Sequence, residues 1–358
     1  MSKKIYFVVH SFSAQCTGGV NRVVSETANE LAKDSNYDVN IVSLGSLDGL
    51  AYPLKDAVTL HTMKIERHST SQYKGLTKIL WLIFAYINLI KFYKQQDRKS
   101  VWNVTSPPLI ILFFFLKKYE NFFLYCEHTS PLGKKNNYFK NLIRALLLNK
   151  GDKTISLNRK DDEYYKSINV DSQLIYNGCK KIYINSKYKT KDIIFVGRFS
   201  KEKDPLEALD IFYKSNIWKK GYKLKFFGNG DLANDINLYC KEKNINQYIE
   251  VISSEKDPAK IYGGASALIM TSHYEGLPMV LIEAISSGVP CISYDCPQGP
   301  SEIIIDGVNG YLIKNREKSD FIERLSSLMH EELSSKNILD SSKKFDISNV
   351  VYEWEKFF

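Results

Sequence analysis

No pair of cysteines stands at CxxC spacing in this 358-residue chain, and no Cys/His cluster has the spacing of a metal site. The six cysteines, at 16, 126, 179, 240, 291 and 296, are scattered, which excludes a disulfide framework and predicts reduced core thiols. There is no HExxH, the six histidines do not cluster, and no DxD pair falls at a strand end, so no metal is expected. Long hydrophobic runs are missing too. The longest, Ile79 to Ile90, is too short to span a bilayer and is interrupted by Asn88. The opening MSKKIYFVVH runs from charge straight into a strand with no small-residue cleavage site behind it, so a secretory leader is not expected. Low-complexity segments are absent, and 44% hydrophobic with 25% charged residues is a globular balance over a length that suits two domains. A cytoplasmic protein, soluble or peripheral on the inner face of a membrane, is the expectation.

Charge is unevenly placed. Residues 1–170 carry 24 Lys+Arg against 14 Asp+Glu, whereas 171–358 carry 25 against 26. A basic first half facing something anionic, such as a phospholipid surface or a lipid diphosphate, follows from that asymmetry. Nucleic acid is not expected, because no helix-turn-helix, zinc-finger or RNP-like motif accompanies the charge.

The first half reads as alternating strands and helices. Lys4 to His10 is a strand, Gly18 and Gly19 turn the chain, and Val20, Val23, Val24, Thr27 and Leu31 have helical spacing. The glycines do not spell GxGxxG, so a dinucleotide fingerprint is missing. Asp38 to Leu44 is the next strand, and 46–74 reads as irregular. Leu76, Ile79, Leu80, Ile83, Ile87 and Ile90 mark a helix over 76–94, widened by aromatics and flanked by Lys91, Lys94, Arg98 and Lys99. Two readings stand for it: a helix packed on the sheet, or one lying at a membrane surface. Further on, Phe122 to Glu127 is a strand that delivers His128 to its carboxyl end. Asn177 and Gly178 mark a domain boundary, giving domains at 1–176 and 177–344, and 345–358 reads as a short amphipathic terminal helix.

In the second half, Ile193 opens a strand followed by a loop with Gly197, Arg198 and Lys203, and Asp204, Pro205 and Glu207 form an Asp-led capping box. A planar guanidinium and an ammonium on one loop suit phosphate oxygens. The sharpest signal is MTSHYEGLPMVLIEAISSGVP, residues 270–290. It sets Glu275 in the loop after a buried strand and Glu283 in the following helix, with Pro278 at the first helical position. In an open parallel sheet such a loop borders the ligand crevice, and the N–H groups of Gly276, Leu277, Met279 and Val280 would line it. The other reading leaves Glu275 as a helix-start acid and Glu283 as a solvated helical residue.

From the EGLP turn through YDCPQGPSEIIIDGVNGYLI, this half resembles the carboxyl-terminal domain of retaining, nucleotide-sugar-dependent GT-B glycosyltransferases of family 4, closest to bacterial lipopolysaccharide and capsule galactosyl- and N-acetylgalactosaminyltransferases. The strand–helix alternation of both halves argues for an α/β chain with two doubly wound parallel-sheet, Rossmann-like domains facing across a cleft, and the resemblance implies that the terminal helix, 345–358, crosses back to the first domain with Tyr352 and Trp354 as anchors. It implies that Glu283 holds the nucleotide ribose, that Glu275 reaches hydroxyls of the donor sugar, and that amides from Gly276 to Val280 hold sugar and phosphates. It further implies that Gly19 and Gly197 lie near the diphosphate, that Arg198 and Lys203 neutralise it, and that His128 contacts the donor sugar. Transfer of a UDP-linked hexose to a glycan or lipid-linked glycan acceptor without a cofactor or metal is the implied activity. A nucleotide-sugar epimerase of the same fold and a non-catalytic nucleotide-sugar-binding subunit are the alternatives.

Overall fold

The computed structural model describes residues 2–16, 18–65, 76–116, 119–128, 130–131, 138–182, 190–253, 255, 257–331 and 333–358. The end of the 46–74 stretch lies outside them. The chain divides into two compact units, 1–178 with 347–358, and 179–346.

The first unit is built on a seven-stranded sheet. Its strands are β1 (Lys3–Val9), β2 (Tyr37–Gly45), β3 (Val58–Ile65), β4 (Val101–Val104), β5 (Phe122–Cys126), β6 (Lys153–Ser156) and β7 (Ser172–Leu174), in the order β3-β2-β1-β4-β5-β6-β7. Every pairing is parallel. Such strands are covered on both faces, which is why Ile5–Val9 and Val39–Leu44 run almost unbroken in burial. Strand β3 corrects the irregular reading of 46–74. It is an edge strand whose ends, Val58 and Ile65, are buried while its middle is half open, so it carries no apolar run to give it away.

Helices α1 (Gly19–Leu31), α2 (Leu76–Lys94), α3 (Pro107–Phe114), α4 (Tyr138–Leu148) and α5 (Arg159–Ser167) complete this unit's core elements. Trp102, stacked on Tyr6 at 4.2 Å, lies at the centre of a cluster that α2 enters through Trp81, Ala85, Leu89 and Tyr93. That is not the stripe read from the sequence. Ile79, Leu80, Ile83 and Ile87 are exposed, because a helix apolar nearly all round does not announce which side turns inward.

The second unit has β8 (Asp192–Val196), β9 (Lys223–Phe227), β10 (Ile249–Ile252), β11 (Ala267–Met270), β12 (Cys291–Tyr294) and β13 (Gly310–Ile313), ordered β10-β9-β8-β11-β12-β13 and wholly parallel. Its helices are α6 (Pro205–Lys214), α7 (Ala233–Glu242), α8 (Pro258–Tyr262), α9 (Met279–Ser286), α10 (Pro300–Ile303), α11 (Lys318–Leu328) and α12 (Ser335–Ser341). The strand order reverses between β8 and β11. In a doubly wound sheet, the carboxyl ends of those two strands border the ligand crevice.

The last helix, α13 (Ile347–Glu355), belongs to the first unit and packs on α1. Ile347, Val350, Val351 and Trp354 share its buried face, and Gly178 is kept small because a Cβ there would come within 2.4 Å of Ile347 Cδ1. Tyr352 is exposed, which corrects its expected role as an anchor: helical periodicity turns it away from Trp354. All six cysteines are free thiols, five of them buried.

Candidate functional site

In the second unit, the loop after β8 and the loop after β11 meet at the point where strand order reverses. Asp204 ends the first loop in the left-handed region, at φ 50° and ψ 59°, and its carboxylate accepts from Glu207 N at 3.3 Å as the α6 cap. That strained turn delivers the preceding residue to the second loop. Lys203 Nζ lies 2.6 Å from Glu275 Oε1, with the side chains 27% and 10% exposed.

Three more contacts fix the two loops together. Thr271 donates its hydroxyl to Asp204 O at 2.7 Å, and His273 N donates to Glu202 O at 2.8 Å. Arg316, just past β13, donates to Thr271 O and Ser272 O at 3.1 Å each and reaches Asp204 Oδ2 at 3.2 Å. Its guanidinium lies over the Tyr294 ring, 4.3 Å from the centroid. The planar fork of arginine suits this bridging of two carbonyls and a carboxylate while stacked.

Behind Glu275, Gly276 and Leu277 lead to Pro278, the N-cap of α9 rather than its first helical residue. No side chain caps this helix, so the N–H groups of Met279 and Val280 open from an end with a positive dipole. Gly299 makes room for the turn. At φ 91° it lies so close that a Cβ would meet Gly276 O and Pro278 Cδ at 2.6 Å each. Only glycine fits both that conformation and that approach.

Glu283 is not a solvated helical residue. It is 2% exposed, and the buried Tyr262, from α8, donates its hydroxyl to Glu283 Oε2 at 2.6 Å. A carboxylate so enclosed has to be paired or hydrogen-bonded, and the tyrosine helps to meet that need. The two acids of the sequence motif therefore have different partners. Arg198 does not join Lys203 at Glu275: its side chain is exposed and makes no hydrogen bond or ion pair among the described residues. Gly197 lies beside Lys203, whose Cγ is 3.9 Å from where a Cβ would stand.

Gly19 and His128 belong to the first unit. Gly19 is the first residue of α1, and a Cβ added at Gly18 or Gly19 would meet nothing within 4 Å, so internal packing does not demand glycine there. Asn21, unmarked by any sequence signal, donates from Nδ2 to Ser11 O and Cys16 O at 2.7 Å each and pins the loop after β1 to the helix. Burial lowers the His128 imidazole to about 4, which keeps it neutral near pH 7. Its neighbour Glu127 turns inward, accepting from Tyr165 OH at 2.5 Å and pairing with Arg144 Nε at 3.2 Å. Burial raises the Glu127 pKa, and the Arg144 charge works against the rise. At this sheet's own reversal point, between β1 and β4, His10 Nε2 is 2.8 Å from Ser106 Oγ, and burial lowers His10 to about 4 as well.

Spacing within the chain exposed Lys203, Glu275 and Glu283 because they occur in local motifs. Tyr262, Arg316, Asn21 and His10 were missed because their partners are set by strand order, for which no short motif exists.

Two wholly parallel sheets of reversing order are the architecture of the GT-B fold. Solved members superpose along the chain: Staphylococcus aureus TarM, in a complex with UDP, has TM-score 0.81 at 14% identity over 99% of both chains. The lipopolysaccharide outer core galactosyltransferase WaaB has TM-score 0.73 at 18% identity, over 99% of this chain and 98% of that one. Residues 181–345, nearly the whole second unit, match the family described as Glycosyl transferases group 1, and this unit is a member of it. Among relatives, the amylovoran biosynthesis glycosyltransferase AmsD of Erwinia amylovora is 26% identical over 91% of this chain and 90% of its own. The lipopolysaccharide 1,6-galactosyltransferase of Escherichia coli K12 is 34% identical over 40% of this chain and 41% of its own.

Proposed function

We propose that this protein is a retaining glycosyltransferase that moves a hexose from a UDP-linked donor to a hydroxyl of a surface glycan, without a metal ion. The observation that carries the reading is the Lys203–Glu275 pair at the strand-order reversal of a glycosyltransferase group 1 unit, followed directly by the uncapped start of α9. Relatives named for amylovoran and lipopolysaccharide synthesis support the acceptor class, and the UDP complex of TarM supports the nucleotide.

In this reading Glu283, oriented by Tyr262, binds the ribose hydroxyls. Glu275 holds hydroxyls of the donor sugar and positions Lys203. Lys203, Arg198 and the amides at the start of α9 stabilise charge that grows on the diphosphate as the anomeric C–O bond breaks, where placed donors contribute most to rate. The acceptor oxygen bonds to the anomeric carbon on the face the diphosphate leaves, and a leaving phosphate oxygen takes the acceptor's proton. No side chain has to act as a strong base.

A panel of nucleotide sugars, scored first by thermal stabilisation and then by transfer to a glycan acceptor, tests this. Stabilisation by UDP-hexose and acceptor-dependent release of UDP are expected, unchanged in EDTA. Steady conversion of UDP-hexose to another hexose without acceptor would identify an epimerase, and binding without either reaction a non-catalytic subunit.

A further inference from the structure

The loop after β12, residues 295–299, is the neighbour of the loop that carries Glu275. Strands β11 and β12 pair in parallel up to Met270 and Ser293, so the two loops leave adjacent strands at the same end of the second sheet. Gly299 brings them into contact, since a Cβ there would meet Gly276 O and Pro278 Cδ at 2.6 Å each. Cys296 senses the same proximity: burial raises its thiol to about 12, and the charges of Glu275, Lys203 and Asp295 all act on it. The 295–299 loop is therefore a wall of the Lys203–Glu275 site.

Its backbone is fixed. Asp295 N donates to Ile313 O at 2.7 Å, Cys296 N donates to Tyr294 O at 3.0 Å, and the Cys296 thiol donates to Gln298 O at 3.6 Å. Two side-chain oxygens of the loop are left without a donor. Asp295 Oδ1 and Gln298 Oε1 are both buried, and neither accepts a hydrogen bond from any described residue. Gln298 as a whole is only 3% exposed. Buried polar atoms are ordinarily paired, and an enclosed oxygen with no donor opposes folding. Two such oxygens on one loop, beside the ion pair at the strand-order reversal, are acceptors suited to a ligand that brings its own donors. A hexose does so. Each of its hydroxyls carries one O–H to give, and a fixed oxygen on the protein separates an axial from an equatorial hydroxyl by reach alone.

We propose that Asp295 and Gln298 are specificity-determining residues, which accept hydrogen bonds from hydroxyls of the donor sugar and select among hexoses. The proposal rests on the glycosyl-transfer reading and adds to it the residues that choose the sugar. It is tested with the full chain, titrated by calorimetry with UDP, UDP-glucose, UDP-galactose, UDP-N-acetylglucosamine and UDP-N-acetylgalactosamine. The parent is expected to prefer one of the four UDP-sugars. Gln298→Met, which keeps the volume and removes the amide, and Asp295→Asn, which keeps the shape and removes the charge, should each shrink that preference about tenfold or more, with the Kd for UDP itself within about twofold of the parent. Gln298→Met should also leave the unfolding temperature unchanged or raise it, because it deletes a buried polar group that has no partner in the chain. A lower unfolding temperature together with lost UDP binding would assign the two residues to the fold and overturn the proposal. So would variants that keep the parent's preference, or a parent that binds all four sugars alike while binding UDP. A parent that binds neither UDP nor any UDP-sugar would overturn the glycosyl-transfer reading and the proposal with it, so the two failures are told apart.

Discussion

Lys203 and Glu275, 72 positions apart, are joined Nζ to Oε1 at 2.6 Å across the reversal point of the second sheet. A pair that remains partly open contributes little to folding, on the order of 1 kcal/mol or less. Its removal should therefore separate activity from stability. Lys203→Ala and Glu275→Gln are each expected to lower transfer by about a hundredfold or more, as for lost placed donors elsewhere, with little change in unfolding temperature. Initial rates and calorimetry on the same samples check this, and a double variant losing no more than either single one would indicate that the two residues act as a unit.

Tyr262→Phe removes the hydroxyl that donates to the buried Glu283. Leaving that carboxylate short of a partner should cost about 1–3 kcal/mol of stability. UDP binding, measured by calorimetry, should weaken in Tyr262→Phe as well as in Glu283→Gln, because the phenol orients the carboxylate. Unaltered UDP affinity in both variants would remove Glu283 from the nucleotide site.

Arg316→Ala should loosen the loop that carries Glu275, since it deletes donors to Thr271 O, Ser272 O and Asp204. We expect a loss of roughly 1–3 kcal/mol and a fall in turnover larger than the change in UDP affinity. Arg316→Lys should recover little, because an ammonium cannot span two carbonyls and a carboxylate in one plane. Urea unfolding and steady-state kinetics separate the two effects.

Stability should also depend on pH through His10 and His128. Burial lowers both to about 4 from an ordinary 6.5, so the unfolded chain binds these protons first. Their contribution is full above pH 6.5 and is lost as pH falls toward 4, by up to about 3 kcal/mol for each histidine. The unfolding temperature should drop across that window, and His10→Asn should flatten the drop. A profile unchanged by the substitution would show that His10 titrates normally.

The sequence by itself determined the local pieces: the buried strand before EGLP, the Asp204-Pro205 helix start, and the spacing that sets Glu275 before and Glu283 inside α9. Each depends on residues within one or two turns of one another, where backbone geometry limits the outcome. Tertiary structure decided the rest. Edge strand β3 exists because β2 offers it hydrogen bonds, although its own residues alternate too weakly to show a buried face. The inward side of α2 was chosen by the aromatic cluster around Trp102, since apolar residues on nearly every side left the helix with no preferred face of its own. Lys203 meets Glu275, and Tyr262 meets Glu283, through strand order and helix packing across long sequence separations. Such pairings are products of chain topology, which hydrophobic periodicity narrows to a class of fold but does not specify atom by atom.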